Sequence, residues 1–292
     1  MTEIIPAPTK PDALTKLFLP LLVQESLLPL YSGPFSAVRR YGNVSLSIQG
    51  GIMDGESVIL PSGTIARRLL HYLISVSRRT KSPIVDLVSA HNLTEQIGTG
   101  RNPRKVKRVK QELLRLSRMT ITIDYFPNGE DTVRSIPNLR IFRRLELSGL
   151  RSDNQMSLFG SFVEFDREFY EMITGLKHQP IKKEAVWALR TPLSIDVYLW
   201  LSRRGQDKRL TIDNPLFLSW DRITEQFSRG EQPSKFKSSF KKALEKACEQ
   251  IEPWDFAAKR AIAWTDKKGV YVRSIPQQVE GAPGKPDELP RW

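Results

Sequence analysis

Between Arg101 and Arg118 the chain places Arg101, Arg104, Lys105, Lys107, Arg108, Lys110, Arg115 and Arg118 beside one acid, Glu112. Eight cations less one anion leave +7, more than half of the +13 carried by the whole 292-residue chain. The chemistry open to such a cluster is capture of a polyanion: nucleic acid first, an anionic membrane surface second. At 100° per residue, Val106, Val109, Leu113 and Leu116 fall within an arc of about 80°. Arg104, Lys107, Arg108, Gln111, Arg115 and Arg118 fall opposite. Like charges four apart cost a few tenths of a kcal/mol each, and cations in a first turn oppose the helix dipole. Phosphates arriving from outside would relieve both penalties.

A second long run, PSKFKSSFKKALEKACEQI from Pro233, has Phe236, Phe240, Ala243, Ala247 and Ile251 on one face. Lys235, Ser238, Lys241, Lys242 and Glu245 lie broadly opposite, and Lys237 joins the charge of the N-terminal half. Lys267 and Lys268 occupy the tip of a predicted hairpin, where a phosphate or minor-groove contact is expected. The DNA-binding candidates are thus Arg101, Arg104, Lys105, Lys107, Arg108, Gln111, Arg115 and Arg118 in the first element. Lys235, Lys237, Ser238, Lys241, Lys242, Lys267 and Lys268 complete the set. Most of these cations should meet phosphates, which position without specifying. Gln111 has the geometry to read adenine, and the arginines to read guanine.

Other chemistry finds little support. His71, His91 and His178 stand in no HxH or HExxH spacing, and with the lone Cys248 they cannot furnish a zinc ligand set. Cys248 reads as a packed thiol and His71 as a helical residue, partly packed. GTGRNPRK lacks the P-loop spacing, and no serine sits in a G-x-S-x-G elbow. The acids Asp221 and Glu225 are explained by pairing with Arg222 or by solvation. The expectation is a non-catalytic protein without cofactor or metal. No apolar run approaches the length of a membrane span, and the N-terminus has no basic-then-apolar signal pattern, so the expected location is cytoplasmic.

The elements that must carry these residues occur twice. LTEQIGTGRNPRKVKRVKQELLRL from Leu93 and ITEQFSRGEQPSKFKSSFKKALEK from Ile223 align without a gap at an offset of 130. Thr94, Glu95, Gln96, Gly100, Pro103, Lys105 and Lys107 match Thr224, Glu225, Gln226, Gly230, Pro233, Lys235 and Lys237. HYLISVSRR at 71–79 echoes VYLWLSRR at 197–204. A period this long means one domain present twice. In the first copy the pattern predicts a helix from Gly63, a strand at 84–87, and a helix capped by Asn92 and ended by Gly98. A basic helix opened by Pro103 follows. Next come a strand over 119–126 with a turn at Pro127-Asn128-Gly129, and strands near 139–147 and 157–165. The second copy predicts helices at 192–203 and 220–228 (capped by Ser219), and one from Pro233 to about Ile251. A strand near 216–219 and a hairpin around Asp266–Gly269 complete it.

Three helices then a β-hairpin is the winged helix-turn-helix order, in which the helix after the turn enters the major groove. The expected fold is therefore α+β, two tandem winged helix-turn-helix domains related by an internal repeat. The boundaries are an N-terminal extension over 1–40, partly disordered or docking; domains over 41–165 and 166–275; and a disordered Pro- and Gly-rich tail over 276–292.

RYGNVSLSIQGG, LPSGTIARRLLHYLISVSRRTKSPIVDL with the LTEQIG helix, SLFGSFVEFDREFYEMI, LRTPLSIDVYLWLSRR and LSWDRITEQF together resemble the plasmid-encoded RepA replication initiators. The similarity spans about residues 40–275. It implies binding to repeated duplex sites (iterons) at a plasmid origin and help in opening it. Better-understood initiators of that functional class carry two winged helices and often dimerise. That implies a homodimer and contacts with host replication proteins such as the host initiator, helicase and sliding clamp. Gln155–Phe159, QMSLF, is similar to the Q-x-[SD]-L-F clamp-binding peptide, although it also reads as a buried strand. QESLL at 24–28 is a looser match. A winged-helix transcriptional repressor and a non-specific partition or nucleoid protein are the competing readings.

Overall fold

The computed structural model describes residues 16–20, 28–41, 44–87, 90–100, 102–126, 133–147, 161–175, 178–207, 209–211, 213–228, 232–251 and 262–274. The expected tail over 276–292, the QMSLF segment, the Pro127-Asn128-Gly129 turn and Arg101 lie outside them. Of QESLL only Leu28 is described, and it is buried.

Helix α1 (Gly63–Thr80) is the centre of the first half. Ala66, Leu69, Leu70, Leu73 and Ile74 are buried along it. Lys81, in the left-handed region at φ 52°, stops it by turning its N–H onto the Arg78 carbonyl. Strand β6 (Ile84–Asp86) follows. Helix α2 (Ala90–Gln96) begins two residues ahead of Asn92, the expected cap. Ser89, a residue of the same capping type, stands just before it in the sequence. Gly98 and Gly100, at φ +66° and +77°, turn the chain between α2 and α3. Helix α3 (Pro103–Arg118) starts where Asn102 accepts the Arg104 N–H on its side chain and Pro103 fills the first turn.

The second half repeats the order. Helix α6 (Pro192–Arg204) is capped by Thr191, and β12 (Leu216–Ser219) follows. Helix α7 (Trp220–Phe227) is capped by the Ser219 hydroxyl, as expected. Helix α8 (Pro233–Gln250) opens with proline in its first turn. Strands β13 (Ala263–Thr265) and β14 (Gly269–Val272) close it. The sheet runs β12-β14-β13, all antiparallel.

The first half contains a sheet of the same connectivity. β9 (Phe142–Glu146) and β10 (Phe162–Phe165) join β6 in the order β6-β10-β9. The hairpin immediately after α3 is a different structure. β7 (Thr120–Tyr125) and β8 (Arg134–Arg140) extend a four-stranded sheet with β2 (Ser36–Tyr41) and β3 (Val44–Gln49), ordered β2-β3-β7-β8. Strands β4 (Ile52–Met53) and β5 (Glu56–Ser57) form a small ribbon between β3 and α1. The alternating run TITIDY was therefore legible as a strand, but its partner β3 is nearly eighty positions away. The first half's sheet also takes in residues ahead of 41, from the segment expected to be an extension.

That segment docks. β1 (Lys16–Pro20) pairs antiparallel with β11 (His178–Lys182), and Leu28 and Leu30 are buried. Helices α4 (Arg167–Gly175) and α5 (Lys183–Ala188) connect the halves. Among the described residues the buried apolar side chains form two clusters. One is centred on α1, α3 and the four-stranded sheet. The other is centred on α6, α7 and α8. Leu28 belongs to the first and Leu30 to the second, and Trp187 packs against both.

Candidate nucleic-acid interface

Helix α3 rests on its apolar side. Val106 is 5 % exposed, and Val109, Leu113 and Leu116 are fully buried. Burying each such side chain stabilises the fold by about 1.5–3 kcal/mol. On the outer side Arg104, Lys107, Gln111 and Arg118 are exposed. Among the described residues no carboxylate lies against Arg104, Lys107 or Arg118. Lys105 is exposed, and its ammonium donates to the Thr99 carbonyl, tying the helix start to the glycine turn.

Two cations of the same helix differ from the wheel. Arg108 and Arg115 reach from opposite directions to one oxygen of Glu112, at 2.8 and 2.7 Å. Glu112 is fully buried, and its other oxygen accepts the backbone N–H of Ser62 at 3.0 Å, ahead of α1. Burial raises the Glu112 carboxyl above its ordinary range, and the Ser62 N–H and the two arginines work against that rise. Arg115 is only 16 % exposed at its side chain and Arg108 36 %. The spacing signals this arrangement, since the helix's lone acid is four after one arginine and three before another. Its burial could not be read that way.

In the second half the structure gathers four candidates around Trp220. The ammonium groups of Lys237 and Lys241 lie 5.6 and 5.9 Å from its ring centroid. The indole N–H donates to the Asp266 carbonyl at 3.1 Å, and the Trp220 backbone N–H donates to the Lys268 carbonyl. Trp220 thus joins the N-terminal half of α8 to the β13–β14 turn that carries Lys267 and Lys268. Both turn lysines are exposed, as are Lys235, Ser238, Lys241 and Lys242. Lys237 is half-buried. Phe236, Phe240, Ala243 and Ala247 are the buried face of α8, as the pattern required.

Other sequence candidates settle into the interior. His71 is 2 % exposed, its Nδ1 has no partner among the described residues, and burial together with Arg67 pushes it down to about 3. Cys248 is half-buried, and burial pushes its thiol up to about 11. Among the described residues no group of histidines, cysteines and acids is placed to hold a metal ion. No described helix is long and apolar enough to cross a membrane.

α3 packs on α1, α2 and β9, whereas α8 packs on α6, α7 and β13. Other surfaces meet between the halves. Arg67 of α1 and Asp196 of α6 form a bidentate ion pair with both N–O distances at 2.6 Å. Arg67 also donates to the carbonyls of Leu28 and Pro29. Arg68 donates to the carbonyls of Gly98, Trp187 and Leu189. The Trp187 indole N–H answers on the Gln96 carbonyl at 2.9 Å. Arg39 of β2 donates to the Ser228 carbonyl, at the end of α7.

Among solved structures, the selenomethionine crystal structure of domains 2 and 3 of RctB superposes with a TM-score of 0.51. The match covers 78 % of this chain and 83 % of that one, at 9 % identity. The chain shares the fold of those RctB domains. A second crystal structure of RctB domains 2–3 matches with a TM-score of 0.47 at 10 % identity, over 77 % of this chain and 82 % of that one. No protein-family model and no curated protein matches the chain. The architecture is α+β, with helices packed on antiparallel sheets.

Proposed function

We propose that the chain is a replication initiator that binds repeated duplex sites at an origin through two winged helix-turn-helix units. In this reading α3 and α8 enter major grooves. The β9–β10 and β13–β14 hairpins are the wings, and the Glu112 and Trp220 clusters brace the two helices from behind. The observation that carries the reading is the division of α3: an apolar side locked into the core, and Arg104, Lys107 and Arg118 turned outward with no carboxylate against them among the described residues. The fold likeness to RctB, itself a replication initiator of a Vibrio chromosome, supports it. The matching connectivity of the β6-β10-β9 and β12-β14-β13 sheets supports two copies of one unit, divided near 165 as the repeat implies. The role needs no catalytic group, and it belongs in a bacterial cytoplasm, on a plasmid if the resemblance to RepA initiators holds.

Footprinting on the replicon that encodes the chain tests this. Several evenly spaced protected repeats beside an AT-rich tract are expected. A single protected operator would make the chain a repressor, and diffuse protection would make it a non-specific DNA-coating protein.

A further inference from the structure

Three aromatic side chains form a single cross-strand row on the β12-β14-β13 sheet. Tyr271, in the central strand, stands opposite both Phe217 and Trp264. The Trp264 and Tyr271 rings are stacked, 5.4 Å apart and 6° from parallel. The Phe217 and Tyr271 rings are 5.0 Å apart and tilted by 41°. The neighbours Val270 and Val272 are fully buried in the second core, so by alternation the row is on the sheet's outer face. Phe217 is 44 % exposed, and Tyr271 and Trp264 are half-buried.

The fold itself does not require these rings. In the sheet of like connectivity in the first half, the register sets Ile84, Glu164 and Arg144 in one row, and Asp86, Phe162 and Glu146 in the next. Those rows are mostly charged. The second half has therefore placed aromatic surface where its counterpart carries ions.

The charge around the row is one-sided. Lys267 and Lys268 project at the turn beside it. The adjacent acid, Asp266, is occupied. One carboxylate oxygen accepts the backbone N–H groups of Lys268 and Gly269, at 2.7 and 2.9 Å, and the other accepts the Tyr271 hydroxyl at 3.0 Å. The hydroxyl is thus directed at the turn and the ring is held in the row. Flat rings with cations beside them match unpaired bases joined by phosphates: bases stack on the Phe217 and Trp264 rings that flank Tyr271, and the backbone runs past the lysines. A duplex cannot use such a row, because its base faces are already stacked on one another.

We propose that the Phe217–Tyr271–Trp264 row is a stacking platform for the bases of a single-stranded nucleic acid. It is separate from the α3 interface, although it shares the β13–β14 turn lysines with the proposed second wing, and it stands whether or not the duplex reading holds. The test uses the full chain with fluorescein-labelled oligothymidylate and oligouridylate of about sixteen nucleotides, a length suited to one such platform, read by anisotropy. Saturable binding of at least one oligomer is expected, and preference between them identifies DNA or RNA as the strand. Trp264→Ala and Phe217→Ala should each weaken binding by about tenfold. Trp264→Phe should keep most of it, and Arg104→Ala with Lys107→Ala, on α3, should leave single-strand binding unchanged. The proposal is overturned if neither oligomer binds, if Trp264→Ala binds as the parent does, or if the α3 variant loses single-strand binding as Trp264→Ala does. Should the alanine variants fail to fold, ultraviolet cross-linking of the parent chain to oligothymidylate decides. Adducts on Phe217, Trp264 or Tyr271 support the platform, and adducts confined to other peptides overturn it.

Discussion

Arg67 and Asp196, 129 positions apart in sequence, meet through two hydrogen bonds of 2.6 Å with both side chains almost wholly buried. Removing one partner from a buried pair leaves an uncompensated charge, a loss of about 3–5 kcal/mol. Asp196→Ala should therefore lower stability in urea denaturation by about that amount. The double variant Arg67→Met with Asp196→Leu should regain much of it, because the desolvation cost disappears with the charges. An Asp196→Ala chain as stable as its parent would mean that this ion pair adds nothing to the contacts that Arg39, Arg68 and Trp187 make between the halves.

The outer and braced cations of α3 should separate in experiment. Arg104→Ala with Lys107→Ala should abolish sequence-specific duplex binding while stability changes by no more than about 1 kcal/mol, since both side chains face solvent. Arg115→Ala should instead destabilise the fold by about 1–3 kcal/mol, because Glu112 stays buried with part of its compensation gone. Thermal unfolding and electrophoretic mobility shifts, run on the same preparations, check the contrast.

Lys267 and Lys268 are placed to touch phosphates without reading bases. Replacing both by alanine should weaken duplex binding similarly on specific and scrambled sequences. The slope of log K against log salt should become shallower by about 0.9 for each phosphate that is no longer neutralised. Unchanged slopes would show that the turn does not reach the backbone.

His71 gives the protein an acid-sensitive point. Its folded value of about 3 lies below the ordinary 6.5, so the unfolded chain takes up the proton first as pH falls. The stability from keeping the imidazole neutral is complete above about 6.5 and is lost as pH drops toward 3. The greatest slope is about 1.4 kcal/mol per pH unit. Glu112 shifts the opposite way, so the comparison must isolate His71. Urea midpoints of the parent should fall more steeply between pH 6.5 and 4 than those of His71→Gln.

Gly98 holds the seam open. Its φ of +66° disfavours any side chain, and a Cβ there would sit 2.3 Å from the Trp187 ring. Gly98→Ala should displace Trp187 from the Gln96 carbonyl and cost more than the roughly 1 kcal/mol of backbone strain alone. A lower Tm together with a shift in tryptophan emission is the expected readout.

Much of this was legible where local chemistry decides the outcome. Pro103 and Pro233 mark helix starts, Ser219 caps α7, and the spacing of Val106, Val109, Leu113 and Leu116 fixes which side of α3 is buried. The repeat of TEQ and the paired glycine and proline positions carried the duplicated order of elements. Long-range pairing was not legible. β7 alternates like any half-buried strand, and nothing in TITIDY names β3 as its partner. β1 and β11 carry prolines that weaken a strand reading, and they pair across more than 150 positions. At the candidate interface the sequence showed where the cations are. It could not show that Glu112 is buried and claims two of them, or that Trp220 draws Lys237, Lys241 and the lysine turn together. Both depend on tertiary packing that no spacing rule encodes.

The β1–β11 pairing also sets an order of events at the ribosome. β1 emerges about 160 residues before its partner is made, which at 5–20 residues per second is on the order of ten to thirty seconds. Throughout that interval the nascent chain carries an edge with no mate, next to the leucine-rich stretch that follows it. Such an edge invites pairing with a neighbouring chain. β1 is mated only once β11 has been made, and until then neighbouring nascent chains can pair through it.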